Sequence, residues 1–215
     1  MEGKDHFKVH YFGGNARAAI ARAILSATKA DWENIIVDFK DWPQLKASGL
    51  CEFGQLPVID HNGKLLVQSM AFDIYLAKYL KLYPESIELQ YQIESLLCSF
   101  EDVFTPFHSF VYPVTQFEKD NVEMLKKMTL DKYKMFIQVT ENRYNALGKG
   151  KYFLGEQFTL ADIYVCFAIF YFMPHVDIDE KTVKEMCPSV FELIERIKDN
   201  ELKEFYEKYY YDKKM

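Results

Sequence analysis

The residues whose types and spacing suggest chemistry are concentrated in the stretch Phe53–Ser69. Ser69 lies between a β-prone run and an apolar helical segment that begins at Met70, so we expect it to cap that helix beside several unpaired backbone N–H groups. A helix start of this kind attracts a carboxylate. Pro57 cannot donate to a β-ladder, which predicts that it opens a strand or lies in a bend, where a cis peptide is possible, and leaves the backbone of Leu56 exposed.

The same stretch encodes a β-hairpin. Val58–Asp60 and Lys64–Val67 are β-prone runs on either side of residues 61–63, which read His-Asn-Gly. Asn-Gly is typical of a two-residue hairpin turn, because both residues tolerate positive φ. We therefore expect two antiparallel strands here, followed by a helix over Met70–Ala77.

The residues before this stretch predict two more strands and a helix. Residues 7–11 alternate between apolar and polar, which predicts a half-buried strand that ends at Tyr11. The alanine-rich segment 16–30 predicts a helix, and residues 35–37 predict a short central strand. Residues 38–52 are predicted to be irregular. The order of elements is therefore βαβ, then ββα.

From Pro84 onward the apolar pattern is helical. Leu82–Pro84 is the predicted linker, because a proline ends the helix before it. Farther on, Thr159 and Asp162 form a predicted capping box, and the helix that follows is apolar on every side, so we expect it at the centre of a second core. The predicted helices cover residues 89–111, 119–147, 163–172, 181–185, 189–198 and 201–209. We predict an α/β domain over residues 1–82 and an all-helical domain over residues 83–215.

The composition indicates a folded protein and excludes some partners. The chain has 215 residues, of which 49% are hydrophobic and 16% aromatic, well above the range of disordered chains. Its 26 basic and 32 acidic residues give a net charge of −6, which offers no basic surface for nucleic acid or an anionic membrane. The N-terminal residues are charged and no apolar run is long enough to cross a bilayer, so we predict a cytoplasmic protein.

The cysteines and histidines predict no metal site. Cys51, Cys98, Cys166 and Cys187 are widely spaced, without a C-x-x-C pair, and the five histidines show no metal-ligand spacing with them. We therefore expect thiols in a reducing compartment.

Taken in order, these motifs resemble the cytosolic glutathione transferases over essentially the whole chain. The strings FGQLPV, NGKLLVQS and TLAD fall at the positions expected of that family, and HYFGGNARAA with DWPQLK looks most like the sigma class. Asn15 and Ala16 stand where that class has Arg-Gly, and Ala19 stands where it has glutamate. The resemblance implies a thioredoxin-like N-terminal domain followed by an all-helical domain.

The resemblance also implies a function and its residues. Glutathione would be the co-substrate, with its thiol activated by the Tyr11 hydroxyl and conjugated to hydrophobic electrophiles, a detoxification reaction. Taken alone, a tyrosine at a strand end is more often a core aromatic whose hydroxyl reaches water. The implied glutathione-binding residues are Tyr11, Arg17, Trp42, Lys46, Gln55, Leu56, Pro57, Gln68, Ser69 and Asp102 of the partner subunit.

Each part of glutathione has an expected partner. Gln68 and Ser69 would hold the γ-glutamyl end, the backbone of Leu56 the cysteinyl unit, and Trp42 with Lys46 the glycyl end. Candidate walls of the electrophile pocket are Phe12, Phe107, Phe110 and Tyr152, although aromatic stripes more often belong to a core.

A polar stripe on the first long helix is predicted to face a second subunit in a homodimer. It consists of Glu94, Ser95, Cys98, Glu101 and Asp102. No metal is expected there, since hard cations prefer oxygen ligands and Cys98 stands where some sigma relatives have a carboxylate.

Three other functions fit the same fold. A glutathione-dependent isomerase acting on a prostanoid would keep the glutathione site, whereas a non-enzymatic structural or interaction protein would lose it. The retained Tyr11, Gln68 and Ser69 argue against the non-enzymatic reading. A thiol-disulfide oxidoreductase would need cysteine or serine in place of Tyr11, and Cys51 is too far along the chain to replace it.

Overall fold

The computed structural model describes residues 5–210. Within this range the chain forms two compact units, one of residues 5–83 with 198–210 and the other of residues 84–197. The C-terminal segment belongs to the first unit because it packs on it: Lys29 Nζ lies 2.5 Å from Glu204 Oε2, and the rings of Trp32 and Tyr209 are 4.6 Å apart. The predicted domain boundary between residues 82 and 83 stays a prediction.

The first unit is built on a mixed four-stranded sheet. Its strands are β1 (Phe7–Tyr11), β2 (Trp32–Ile36), β3 (Val58–His61) and β4 (Lys64–Leu66), in the order β2-β1-β3-β4. β1 runs parallel to β2 and antiparallel to β3, and β3 is antiparallel to β4. Asn62 and Gly63 have φ of 52° and 87° at the hairpin turn. The predicted hairpin and the bounds of the first strand are therefore confirmed.

Within residues 5–83, three helices accompany this sheet: α1 (Ala19–Ala27), after a 3₁₀ turn at Ala16–Ala18, α2 (Trp42–Ala47) and α3 (Ser69–Tyr79). With the strands they give the predicted order βαβ, then ββα. The thioredoxin-like domain expected from the sequence is therefore confirmed.

Two local predictions in this unit were wrong. β2 is an edge strand and begins at Trp32, because its pairing with β1 starts at Phe7 opposite Trp32 and extends beyond the short apolar run on which the prediction rested. The segment 38–52, predicted to be irregular, contains α2. Pro43 lies in the first turn of α2, where a missing N–H removes no helix hydrogen bond.

The second unit is helical, as expected. Pro106 lies inside its first long helix without ending it, as the sequence predicts. Within residues 5–210, no helix is both long enough and apolar enough to cross a membrane. The remaining helices of the described residues are α4 (Ile87–Val111), α5 (Gln116–Asp120), α6 (Val122–Ala146), α7 (Leu160–Phe172), α8 (Glu180–Met186), α9 (Pro188–Asp199) and α10 (Lys203–Lys208), with a 3₁₀ turn at Met173–His175.

The core of the second unit is centred on α7, which is buried almost all round. The Asp162 carboxylate accepts hydrogen bonds from the Phe153 N–H at 2.8 Å, the Thr159 N–H at 2.8 Å and the Thr159 hydroxyl at 3.1 Å. These bonds join the loop before α7 to its first turn. The predicted position of α7 at the centre of the core and the pairing of Thr159 with Asp162 are confirmed.

Replacement of Asp162 by alanine is expected to destabilise the protein strongly. It leaves two buried N–H groups, those of Phe153 and Thr159, without an acceptor, and each such group costs about 1–3 kcal/mol. We expect a loss of about 2–6 kcal/mol in the free energy of unfolding, measured with urea. Asp179→Ala is the matched control, because Asp179 caps the exposed start of α8 and a surface cap is worth about 1 kcal/mol. Equal losses in both variants would contradict the role assigned to Asp162.

The contribution of Asp162 to stability is also expected to depend on pH. Burial raises the pKa of Asp162 to about 6, so between its ordinary value of 3.8 and about 6 the folded state binds a proton that the unfolded state has lost. The free energy of unfolding of wild type minus that of Asp162→Asn should therefore be greatest near pH 4 and decrease as the pH rises to about 6. Urea unfolding of both proteins across this range measures it, and a difference that grows with pH would refute the assignment.

Candidate active site

Tyr11 lies at the end of β1, where the chain enters a loop that leads to the 3₁₀ turn before α1. Its carbonyl accepts a hydrogen bond from the Val37 N–H at 2.9 Å, which fixes the strand end against the residue after β2. Arg17, one of the implied glutathione-binding residues, lies half-buried in the 3₁₀ turn. The chain thus passes from Tyr11 through residues 12–15 into the helical segment that begins at Ala16.

Arg22 holds the loop after Tyr11, and sequence reasoning missed it. Its guanidinium is fully buried and lies 5.7 Å from the centre of the Tyr11 ring. It donates to the Asn34 side chain at 3.0 Å, to the Phe12 carbonyl at 3.3 Å and to the Gly14 carbonyl. The available signal was an arginine within an otherwise alanine-rich apolar helix, since a charge in that setting needs several hydrogen bonds.

The residues expected at the glycyl end of glutathione lie together on α2. Lys46 Nζ is 5.8 Å from the centre of the Trp42 ring. Lys46 also reaches towards the loop before Pro57, because a Cβ at Gly54 would lie 3.1 Å from Lys46 Cε. Gly54 has φ of 63°, a conformation that favours glycine. The side chains of α2 and the Gln55–Pro57 turn therefore share one edge of the unit.

The backbone of Leu56 is available for pairing. The Leu56–Pro57 peptide bond is cis, and Pro57 itself is buried. Among residues 5–210, none forms a hydrogen bond with the N–H or C=O of Leu56. An extended ligand could therefore bond to both groups in the manner of an added β-strand.

The start of α3 differs in one detail from the prediction. Ser69 is the first helical residue and the cap position falls on Gln68, whose φ of 67° and ψ of 105° turn the chain sharply into the helix. No side chain caps this end, and among the described residues none accepts from the N–H groups of Ser69, Met70 or Ala71. The predicted N-cap role of Ser69 is therefore wrong, but the predicted set of unpaired donors is present.

The expected electrophile-pocket residues fall into separate groups. Phe12 lies in the first unit, with its ring 5.6 Å from that of Tyr11. Phe107 is fully buried on α4 and its ring is 5.5 Å from that of half-buried Phe110. Tyr152 is in the loop before α7, with its ring 5.5 Å from that of Phe158.

The polar stripe of α4 is present with both Cys98 and Asp102 exposed. Ser95 accepts a hydrogen bond from Arg143 at 2.9 Å, which ties the stripe to α6. In the part of the chain that the structure describes, no three or more His, Cys, Asp or Glu side chains are grouped to hold a metal ion. The absence of a metal requirement stays a prediction.

Cys51 is a poor nucleophile in this setting. It is buried, and burial raises the pKa of its thiol despite the nearby Lys46 charge, which acts in the opposite direction. A protonated, enclosed thiol does not suit thiol-disulfide exchange.

Comparison with known proteins identifies the family of this chain. Family models of the N-terminal and C-terminal domains of glutathione S-transferase match residues 7–78 and 101–209. The "Probable glutathione S-transferase 5" of Caenorhabditis elegans is 30% identical over 73% of this chain and 76% of its own length. A "Glutathione S-transferase class-mu 28 kDa isozyme" of Schistosoma bovis is 28% identical over 86% of each chain.

A solved structure of similar fold is the sigma-class glutathione S-transferase of Fasciola hepatica. Its TM-score is 0.80 at 22% identity, with 99% of this chain and 100% of that chain covered. This likeness concerns the fold, whereas the two domain models and the curated relatives identify the family. The chain belongs to the glutathione S-transferase family and is a transferase that uses glutathione as its substrate.

Loss of the Arg22 guanidinium is expected to loosen the loop after Tyr11. Arg22→Met removes the hydrogen bonds that Arg22 donates to the Phe12 and Gly14 carbonyls and to the Asn34 side chain, so we expect a loss of about 2–4 kcal/mol in the free energy of unfolding. Hydrogen exchange of the amides of residues 12–15 should become faster in the same variant. Arg22→Lys keeps the charge but reaches fewer acceptors, and an intermediate effect is expected. Unchanged exchange in Arg22→Met would show that the loop does not depend on this side chain.

Proposed function

We propose that the Tyr11 hydroxyl activates the glutathione thiol and that the resulting thiolate attacks a hydrophobic electrophile. The observation that carries this proposal is the position of Tyr11 at the end of β1, beside the helical segment that begins at Ala16 and in the same unit as the Leu56 backbone and the uncapped start of α3. The thiol proton leaves to solvent, and the tyrosine O–H donates to the sulfur anion. The sulfur then forms a bond to carbon as the leaving group departs with its electron pair.

The energies of a hydroxyl hydrogen bond and of a nearby helix start are large enough to ionise the thiol of bound glutathione. A free thiol has a pKa of about 8.5 and is mostly protonated at neutral pH. A hydrogen bond from the hydroxyl to the thiolate is worth about 1.5–3 kcal/mol, or about one to two pK units. The nearby helix start adds about 0.3–1 kcal/mol in the same direction. Thiolate is then the dominant form of bound glutathione, and the remaining acceleration comes from positioning the electrophile beside it.

The binding of glutathione is assigned to groups along the edge of the first unit. Trp42 and Lys46 hold the glycyl carboxylate, Lys46 by its charge. The backbone of Leu56, within the Gln55–Pro57 turn, pairs with the cysteinyl unit. Gln68 and Ser69 hold the γ-glutamyl carboxylate, which is supported by the unpaired N–H groups at the start of α3.

Several finer features belong to the same proposal. We assign the chain to the sigma class on its HYFGGNARAA and DWPQLK segments, although several curated relatives are named class mu. We assign the walls of the electrophile pocket to Phe12, Phe107, Phe110 and Tyr152. Arg17 supports Tyr11, and the enzyme acts in the cytoplasm in detoxification without a metal.

We also assign the enzyme a homodimeric state, with Asp102 of the partner subunit completing each glutathione site. The exposed position of Asp102 on the polar stripe of α4 supports this assignment. Its carboxylate would face the ammonium of the γ-glutamyl group, so that each site depends on assembly.

Tyr11→Phe is expected to keep the fold and glutathione binding but to lower kcat/KM about ten- to a hundredfold, because it deletes one charge-assisted hydrogen bond and little volume. The pKa of bound glutathione, followed by thiolate absorbance, should rise in parallel. Tyr206→Phe removes a hydroxyl on α10 instead and serves as the control. Unchanged turnover together with an unchanged thiol pKa would end the assignment of Tyr11.

Asp102→Ala is expected to weaken glutathione binding about ten- to a hundredfold, the value of a charged hydrogen bond, without changing the pKa of the bound thiol. Calorimetry measures the affinity and light scattering the mass of each species. Asp131→Ala is the control, since Asp131 is an exposed carboxylate on α6. The shared site would be contradicted if the wild-type and Asp102→Ala dimers bound glutathione equally well. Full wild-type affinity in a monomer would contradict it as well.

A further inference from the structure

Three aromatic side chains are grouped together: Phe12 from the loop after β1, Phe39 from just before α2, and Trp42 from the start of α2. The rings of Phe12 and Phe39 are stacked, with centroids 4.6 Å apart and planes 13° apart. The Trp42 ring meets Phe12 edge-on, with centroids 5.8 Å apart. Phe39 is nevertheless 68% exposed. One face of the Phe39 ring is therefore covered by Phe12, while much of the side chain remains open to solvent.

This exposure is not that of an isolated surface phenylalanine. Single exposed apolar residues are common and need no explanation. Phe39 is different because its stacking on Phe12 fixes the orientation of its ring and presents a flat aromatic surface. Such a surface favours a planar aromatic ligand, since offset-stacked rings attract beyond the area they bury.

The position of the stack relates it to the expected chemistry. The rings of Phe12 and Tyr11 are 5.6 Å apart, and Trp42 is one of the residues assigned to the glycyl end of glutathione. The stack therefore lies next to two residues that the proposed function assigns to glutathione, Tyr11 at the thiol and Trp42 at the glycyl end.

The charges beside the stack do not favour an ionic ligand. Asp38 and Lys40, which flank Phe39 in the chain, form an ion pair with 3.3 Å between Lys40 Nζ and Asp38 Oδ2. The two charges offset each other, and Lys46 lies against the Trp42 ring. The surface of Phe39 therefore suits an uncharged ring system.

We infer that Phe39 is a specificity residue of the electrophile site and that it selects electrophiles with extended planar aromatic groups over small aliphatic ones. This inference rests on the proposed function, because it requires glutathione to be bound with its sulfur near Tyr11. Phe39 acts by contact with the distal ring of the electrophile, and the sulfur and its leaving group are not involved.

Three ligands separate this role from glutathione binding itself: glutathione, S-methylglutathione and S-(1-naphthylmethyl)glutathione, each titrated by calorimetry. The proteins compared are wild type, Phe39→Ala, Phe39→Tyr and Phe117→Ala. Phe117 lies on α5 and is 62% exposed, so its variant controls for the loss of an exposed phenylalanine elsewhere.

Phe39→Ala should weaken binding of the naphthyl conjugate about two- to tenfold, as expected for the loss of one aromatic stack, and leave glutathione and S-methylglutathione within twofold of wild type. Phe39→Tyr should restore the affinity for the naphthyl conjugate, and Phe117→Ala should match wild type with all three ligands.

Two results would overturn the inference alone: an unchanged affinity of Phe39→Ala for the naphthyl conjugate, or an equal loss for all three ligands. Failure of the wild type to bind glutathione is a different outcome. It would remove the proposed function and, with it, this inference.

Discussion

The register of β1 between its two neighbours is the constraint on which the site depends. His10 pairs with Val58 on one side, so the next residues along the two chains are Tyr11 and Pro57. Tyr11 pairs with Ile36 on the other side, which brings the end of β1 to the segment that leads into α2. A slip of one residue would turn the Tyr11 side chain to the opposite face of the sheet. The end of β1, the segment before β3 and the segment after β2 therefore lie together, because β1 is paired on both sides.

In each unit, one buried charged side chain stabilises a loop that leads into a helix. Arg22 donates to the carbonyls of the loop after β1, and Asp162 accepts from the backbone before α7. In each case a charge is buried only because backbone groups satisfy it, and the same bonds fix the path of that backbone. The cationic group lies where carbonyls need donors, and the anionic group lies where N–H groups need acceptors.

Much of the assigned glutathione site consists of main-chain groups. The N–H and C=O of Leu56 and the first N–H groups of α3 depend on backbone shape, which the Gln68 conformation and the turn before Pro57 provide. Side chains such as Trp42 and Lys46 then add charge and aromatic surface. The stack of Phe39 on Phe12 belongs to this second, side-chain part.

The sequence by itself determined the elements whose signals are local. The Asn-Gly hairpin, the strand Phe7–Tyr11, the helix α7 with its Thr159–Asp162 pair, and the order of elements all follow from turn chemistry, alternation and capping within a few residues. The family resemblance likewise rested on short motifs in order, and the comparisons confirm the family. The roles of the site residues stay predictions.

Only the tertiary structure decided the features that depend on contacts between distant segments. Pairing with β1 makes β2 an edge strand and extends it to Trp32, and the sharp turn at Gln68 moves the start of α3 onto Ser69. The bonds of Arg22 and the stack of Phe39 on Phe12 join residues that are not neighbours in the chain, so no local pattern reports them. Sequence periodicity records which residues are apolar, whereas pairing and packing across the fold determine what each side chain meets.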